Sequence, residues 1–190
     1  TQFHFKSKLV DLYLVATEFG LSGIYWKKQN VPTVATLKGS TPQIKILKEV
    51  STQLEQYFKG TRQHFDLPVD IIGTDFQIKV WKALAQIPYG ETVSYADIAK
   101  KIKNPKAVRA VGTANSKNPI CIIVPCHRVI TNTGKLGGYA GGTKLKQALL
   151  DMEKAANHLL NKEKKHILSE LSIFQGENFT QKIVANGKDP

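Results

Sequence analysis

Cys126 and His127 are adjacent and close an apolar run, Ile122-Ile123-Val124-Pro125. A thiol becomes a strong nucleophile only when it loses its proton. An imidazole that takes the proton, directly or through a water, leaves a thiolate. The run reads as a buried strand that stops at the proline, with the reactive pair at its end. The same residues also fit a plainer arrangement, in which Cys126 packs as a small hydrophobe and His127 and Arg128 start a surface loop. The rest of the chain must decide between them.

The second cysteine, Cys121, lies five residues earlier. In an extended run the two Cα atoms stand about 16 Å apart, too far for a disulfide. The pattern C-x4-C-H lacks a matching second pair, and His158 and His166 are too widely spaced to complete a zinc site. Free thiols, a reducing compartment, no metal and no cofactor are the expectation.

The elements that must hold Cys126 can be read in order. Phe3–Phe5, Leu12–Val15 and Leu21–Trp26 read as short strands, with Gly20 and Gly23 bracketing a hairpin. Thr41-Pro42 predicts a helix start, and Ile44, Leu47, Val50, Leu54 and Phe58 recur at helical spacing until Gly60. Phe65–Val69 is strand-like. Gly73 is the predicted boundary, and Thr74 caps a second helix bearing Phe76, Val80, Trp81 and Leu84. Two short helices follow, one capped by Ser94 and running to about Ile102, the other started by Asn104-Pro105 and running from Lys106 to Asn115. Such a pair has the look of a helix-turn-helix, although a helical hairpin with a wet outer face fits equally well in isolation. After Ile130, five glycines fall within Gly134–Gly142. That density suits a wing or a loop that another molecule approaches closely. A last amphipathic helix carries Leu145, Leu149, Met152 and Ala156. A second amphipathic segment (Ile167, Leu168, Leu171, Phe174) has no assigned role.

The 190 residues are 42% hydrophobic and 22% charged, as in an ordinary globular protein. No apolar run reaches the roughly 20 residues of a membrane helix. Asp11 and Glu18 interrupt any apolar core of a signal peptide. The net charge of +12 is uneven, with 12 Lys+Arg against 5 Asp+Glu between residues 73 and 153. A basic segment around Cys126 points to a polyanion such as nucleic acid, or to a solvated lysine-rich surface.

Pro125-Cys126-His127-Arg128-Val129 resembles the acceptor motif of the O6-alkylguanine-DNA alkyltransferases. The flanks resemble that family in order and spacing: Gly90-Glu91-Thr92-Val93-Ser94-Tyr95, Arg109-Ala110-Val111-Gly112, Asn118-Pro119, Gly138-Tyr139-Ala140-Gly141-Gly142, and Leu149-Leu150 before Glu153. The likeness is close from about Gln53 to Glu153 and looser before it.

The resemblance implies an α+β protein. Residues 1–72 would be an α/β scaffold domain, 73–158 a mainly helical, winged-helix-like DNA-binding domain carrying the active-site cysteine, and 159–190 an extension of unassigned role. It implies DNA repair by irreversible, stoichiometric transfer of the alkyl group from O6-alkylguanine, flipped out of duplex DNA, to Cys126. Alkylated thymine is a further candidate substrate. His127 would be the base, acting through a water, and Glu153 the carboxylate orienting it. Tyr95 would donate toward N3 of the base, and Asn118 would brace the turn before the active site. Arg109 would fill the gap in the base stack, with Ala110, Gly112, Thr113 and Asn115 on the same DNA-reading helix. Arg128, Val129, Gly138, Tyr139 and Ala140 would contact the flipped base or DNA. Some relatives carry Ser where Ala140 stands, so only backbone is offered to the substrate oxygen here. The protein would be cytoplasmic, or nuclear in a eukaryote, and a monomer in solution, with several copies side by side on DNA as a further arrangement.

Two other readings compete. A DNA-binding module without chemistry fits the helix pair and the charge, but leaves Cys126 unused. A thiol hydrolase uses Cys126 and His127, but such dyads come from distant segments and the basic helix pair goes unexplained.

Overall fold

The structure of the protein, a computed structural model, describes residues 1–180, with backbone alone for residues 160, 164, 166 and 168–180. Three strands, β1 (Gln2–Lys6), β2 (Asp11–Ala16) and β3 (Leu21–Tyr25), form an antiparallel meander, and a short β4 (Thr33–Val34) pairs in parallel with β1. The sheet order is β3-β2-β1-β4. Leu12, Leu14 and Ala16 alternate with half-buried or exposed neighbours along β2, the period-2 pattern of a sheet with one covered face. The cover is α1 (Pro42–Phe58), whose Thr41 hydroxyl accepts from the Ile44 amide. Its face of Ile46, Leu47, Val50, Leu54 and Tyr57 is buried.

Phe65–Val69 was expected to be a strand and is not. It makes a single bridge, Leu21 to Val69, with Leu21 N–H donating to Pro68 O and Asp70 N–H to Leu21 O, both at 2.9 Å. Pro68 has no N–H, so a ladder cannot continue through it.

After Gly73 come α2 (Asp75–Leu84), β5 (Val93–Ser94), α3 (Tyr95–Lys101), α4 (Val108–Ser116), β6 (Val129–Ile130) and α5 (Thr143–Thr180). Capping boxes start α2, through Thr74 and Gln77, and α3, through Ser94 and Asp97. The start of α4 differs from expectation. It begins at Val108 without a side-chain cap, because Asn104 closes a turn in which its carbonyl accepts from Ala107 N–H at 3.0 Å. Helix α2 packs on α4 and α3, and β5 pairs in parallel with β6. Side chains from both sides of Gly73 meet in one core that includes Leu14, Leu47, Leu84, Ile98, Val111, Val129 and Leu149.

The run before Cys126, strand-like in sequence, has a different geometry. It is no strand but a tight turn. Val124 N–H donates back to Ile120 O at 3.0 Å, and Ile122 takes φ +75°, rare for a β-branched residue. Asn118 holds the turn shut: its Nδ2 donates to Val124 O at 2.8 Å and its Oδ1 accepts from Ile120 N–H at 3.2 Å. The apolar side chains are buried because the turn is packed inside the protein, so the burial signal was right and the extended geometry was not.

Helix α5 passes residues 158–159 without a break. Ile167 is exposed on it, and the side chains of Leu168, Leu171 and Phe174 lie outside the described residues. Among the described residues no helix is long and apolar enough to cross a membrane.

Candidate active site

Cys126 opens a single helical turn, Cys126–Arg128, between the Asn118-clamped turn and β6. Its side chain is buried. Burial pushes the thiol pKa up; the Asn118 side chain, the Lys146 charge and the amides of Cys126 and His127 pull it down, and burial wins. At rest Cys126 is therefore a thiol that needs a base.

The same turn throws His127 into the interior, where it is fully buried. Its Nε2 lies 2.8 Å from Glu153 Oε1. A carboxylate accepts, so Nε2 carries the proton and Nδ1 keeps a lone pair. Among the described residues Nδ1 has no hydrogen-bond partner. Burial holds the His127 pKa below its usual value, against the opposing pull of Glu153. A neutral imidazole with an unpartnered Nδ1 lone pair can accept a proton.

Glu153 reaches this point from α5 and is also fully buried. It accepts from Tyr57 Oη at 2.6 Å, His127 Nε2 at 2.8 Å, Arg128 Nε and Nη2 at 2.9 Å each, and Gly90 N–H at 3.1 Å. Burial alone would raise its pKa, but the hydrogen bonds from His127 and Arg128 outweigh it and bring the group down to about 2. Arg128 also donates to Ile87 O at 2.6 Å, and its guanidinium lies over the Tyr89 ring. The family resemblance implies a DNA or base contact for Arg128; it is buried and bonded to Glu153 instead, because the helical turn that starts at Cys126 points it inward.

The other expected residues divide into two groups. Tyr95, half-buried at the start of α3, lies with its ring beside Gly112 of α4 and its hydroxyl against Gly137. Gly137 has φ +69°, and a Cβ there would stand 3.0 Å from that hydroxyl, so glycine is needed twice over. Tyr139 packs edge-on to His127 and to Trp26, and burial raises its pKa. Val129, in β6, and the loop residues Gly138 and Ala140 complete this side, the latter two exposed. Arg109, Ala110 and Thr113 are exposed on α4, some of them on the helix face away from its buried stripe. Asn115 does not join them. It falls on the stripe of Val111 and Ala114 by helical spacing and is buried, its Oδ1 without a partner among the described residues.

Three contributors escaped the sequence reading. Tyr57 sits on the apolar face of α1 one turn after Leu54 and looks like core; nothing local marks its hydroxyl. Lys146 is buried, and its ammonium donates to Val129 O at 2.6 Å, to Leu136 O, and to Gly138 O at 3.5 Å. Burial lowers its pKa to about 8. It thereby ties β6 to the glycine loop. Its signal was available: Lys146, Leu149 and Glu153 share one buried helical face, where a lysine is out of place. Trp26, from the end of β3, packs against the loop so closely that a Cβ at Gly141 would lie 2.8 Å from its ring.

Two family models match the chain. Residues 4–71 match the 6-O-methylguanine DNA methyltransferase ribonuclease-like domain, and residues 75–155 match the DNA-binding domain of the same proteins. A methylated-DNA–protein-cysteine methyltransferase of Methanosarcina mazei is 48% identical over 149 residues, covering 78% of this chain and 93% of that one. One from Mycobacterium tuberculosis is 60% identical over 103 residues, 54% of this chain and 62% of its own. The crystal structure of the Mycobacterium tuberculosis OGT in complex with DNA superimposes with a TM-score of 0.72 at 42% identity, covering 82% of this chain and 93% of that one. A methyltransferase structure from Methanococcus jannaschii gives 0.58 at 26% identity over 80% and 92%.

Proposed function

The chain belongs to the methylated-DNA–protein-cysteine methyltransferase family, and from that premise we propose that Cys126 is its acceptor and the His127–Glu153 pair its base. The protein repairs DNA by direct transfer of an alkyl group from damaged DNA to one of its own cysteines. The observation that carries the assignment to Cys126 is the free, buried Nδ1 of His127 one residue away, with Nε2 fixed on Glu153.

In the proposed sequence the Cys126 proton passes through one water to Nδ1, and the imidazolium is stabilised by Glu153. The thiolate attacks the alkyl carbon of O6-alkylguanine in line. The C–S bond forms as the C–O6 bond breaks, and the electron pair stays on the guanine, which takes a proton near N3 from Tyr95. The product thioether has no good leaving group, so each molecule acts once. Neither a metal nor a cofactor is called for by these steps.

A base inside a duplex is out of reach, so it must leave the stack, at a cost of about a few kcal/mol. Phosphate contacts from the basic helices offset that cost. Arg109, exposed on α4 with Ala110 and Thr113, fills the vacated stack in this proposal. Tyr95, Val129, Gly138, Tyr139 and Ala140 receive the flipped base. The partner is double-stranded DNA bearing alkylated guanine, met by a monomer in the compartment that holds the DNA. The chain is read as a scaffold domain over 1–72, a catalytic domain over 73–158 and an extension beyond.

The test uses duplex DNA with one O6-methylguanine and intact-mass measurement. The expected result is a gain of one methyl group, mapped to Cys126 and saturating at one per protein. Turnover beyond one, or transfer persisting in Cys126→Ser, would overturn the assignment.

A further inference from the structure

Tyr57 is the only hydrogen-bonding partner of His127, Glu153 and Arg128 that comes from before Gly73, among the described residues. We propose that Tyr57 is a positioning residue, supplied by the scaffold helix α1, that fixes the Nε2–H tautomer of His127 and tunes how strongly Nδ1 accepts the thiol proton. This rests on the function proposed above and assigns a part of its machinery to the N-terminal region.

The geometry is specific. The Tyr57 side chain is fully buried, and its ring packs against Phe58, Phe65 and Tyr89, so the hydroxyl has one position. Its oxygen is 2.6 Å from Glu153 Oε1 and 3.5 Å from His127 Nε2. Oε1 is thus shared by Tyr57, His127 and Arg128, while Oε2 is held by Arg128 and Gly90. A phenol that donates to Oε1 presents its oxygen toward the imidazole, which an Nε2–H tolerates and an Nε2 lone pair does not. The tautomer with Nδ1 free is therefore favoured from two sides.

The same bond draws charge on Oε1 away from His127. A carboxylate that already satisfies a phenol and a guanidinium stabilises an imidazolium less than a carboxylate facing His127 alone. The groups facing His127 are Glu153 and Lys146 from α5, its neighbours Cys126 and Arg128, Tyr139 from the loop and Tyr57 from α1. Of these, Tyr57 can be stripped of its hydroxyl with the ring retained, so Tyr57→Phe isolates the hydrogen bond.

Two measurements test this. In the first, the rate of methyl transfer to the full-length protein is followed against pH for wild type and Tyr57→Phe, with cooperative thermal unfolding as the check on folding. In the second, the His127 imidazole is titrated by NMR in Cys126→Ser and in Cys126→Ser/Tyr57→Phe. The expected result is an acid limb and an imidazole titration both moved to higher pH, by up to about one unit. A folded Tyr57→Phe whose imidazole titrates as in its parent, or at lower pH, overturns the proposal. Should wild type fail to take a methyl group, the proposed function falls, and the imidazole titration still decides the part played by Tyr57.

Discussion

The His127–Glu153–Arg128–Tyr57 cluster and the outer face of α4 are both polar, and they handle charge in opposite ways. In the cluster every charge is out of water and matched: Glu153 accepts five hydrogen bonds, and Arg128 spends three donors on Glu153 and Ile87. On α4, Arg109 stands exposed, with Lys106 before it and Lys117 after it, also exposed. The first arrangement fixes atoms and protonation states and suits a step that needs one proton moved along one path. The second keeps charge in solvent, where it acts at a distance on a polyanion and is weakened by salt. Lys146 shows what the inward environment does to the same residue type, since burial brings its pKa to about 8.

The sharpest break of this contrast is Cys126→Ser, which should abolish methyl transfer while leaving DNA affinity nearly unchanged, as gel-shift and intact-mass measurements would show. Loss of both would mean that the two regions are not separable. Next is Glu153→Gln, which leaves Arg128 buried with a weaker partner. A loss of about 3–5 kcal/mol of stability is expected by chemical denaturation, along with transfer slowed at least a hundred-fold.

The same group predicts a pH dependence. The Glu153 pKa is lowered from 4.5 unfolded to about 2 folded. Its stabilisation is therefore fully present above about pH 4.5 and lost as pH falls toward 2, in all about 3 kcal/mol. His127, held neutral by burial, adds in the same direction as pH drops through its unfolded value, because the unfolded chain binds that proton more readily. Denaturant midpoints between pH 7 and pH 3 check the sign.

Effects on the outer face should be smaller and dependent on salt. Arg109→Ala should slow repair in duplex DNA by about ten-fold or more and leave transfer from free O6-methylguanine unaffected. Equal losses on both substrates would reject a role in filling the stack. The smallest expected change is Thr74→Ala, which removes the α2 cap and should cost about 1 kcal/mol with no change in transfer chemistry.

Much of this was legible in the chain. The caps at Thr41, Thr74 and Ser94 stand where the sequence put them, because an N-cap depends on a few neighbouring residues. Short runs bounded by turn residues marked β1 to β3, and helical spacing marked α1, for the same reason. What failed was less local. The run before Cys126 is apolar whether it is a strand or a buried turn, and only the Asn118 clamp distinguishes them. Phe65–Val69 has strand-forming residues but contains Pro68. Asn115 and Arg128 carry side chains suited to DNA, yet helix phase and the Cys126–Arg128 turn send them inward.

The sequence by itself determined the chemistry on offer: a thiol beside an imidazole, a basic helix pair and a glycine-rich loop, all encoded in residue type and short-range spacing. The tertiary structure decided which atoms face each other. Tyr57 and Glu153 lie 96 residues apart and meet at 2.6 Å. No periodicity encodes that meeting, because it depends on how α1 and α5 pack on a common core. Whether Nδ1 of His127 stays free, whether Arg128 faces DNA or a carboxylate, and whether Lys146 holds a loop or floats in solvent all follow from that packing.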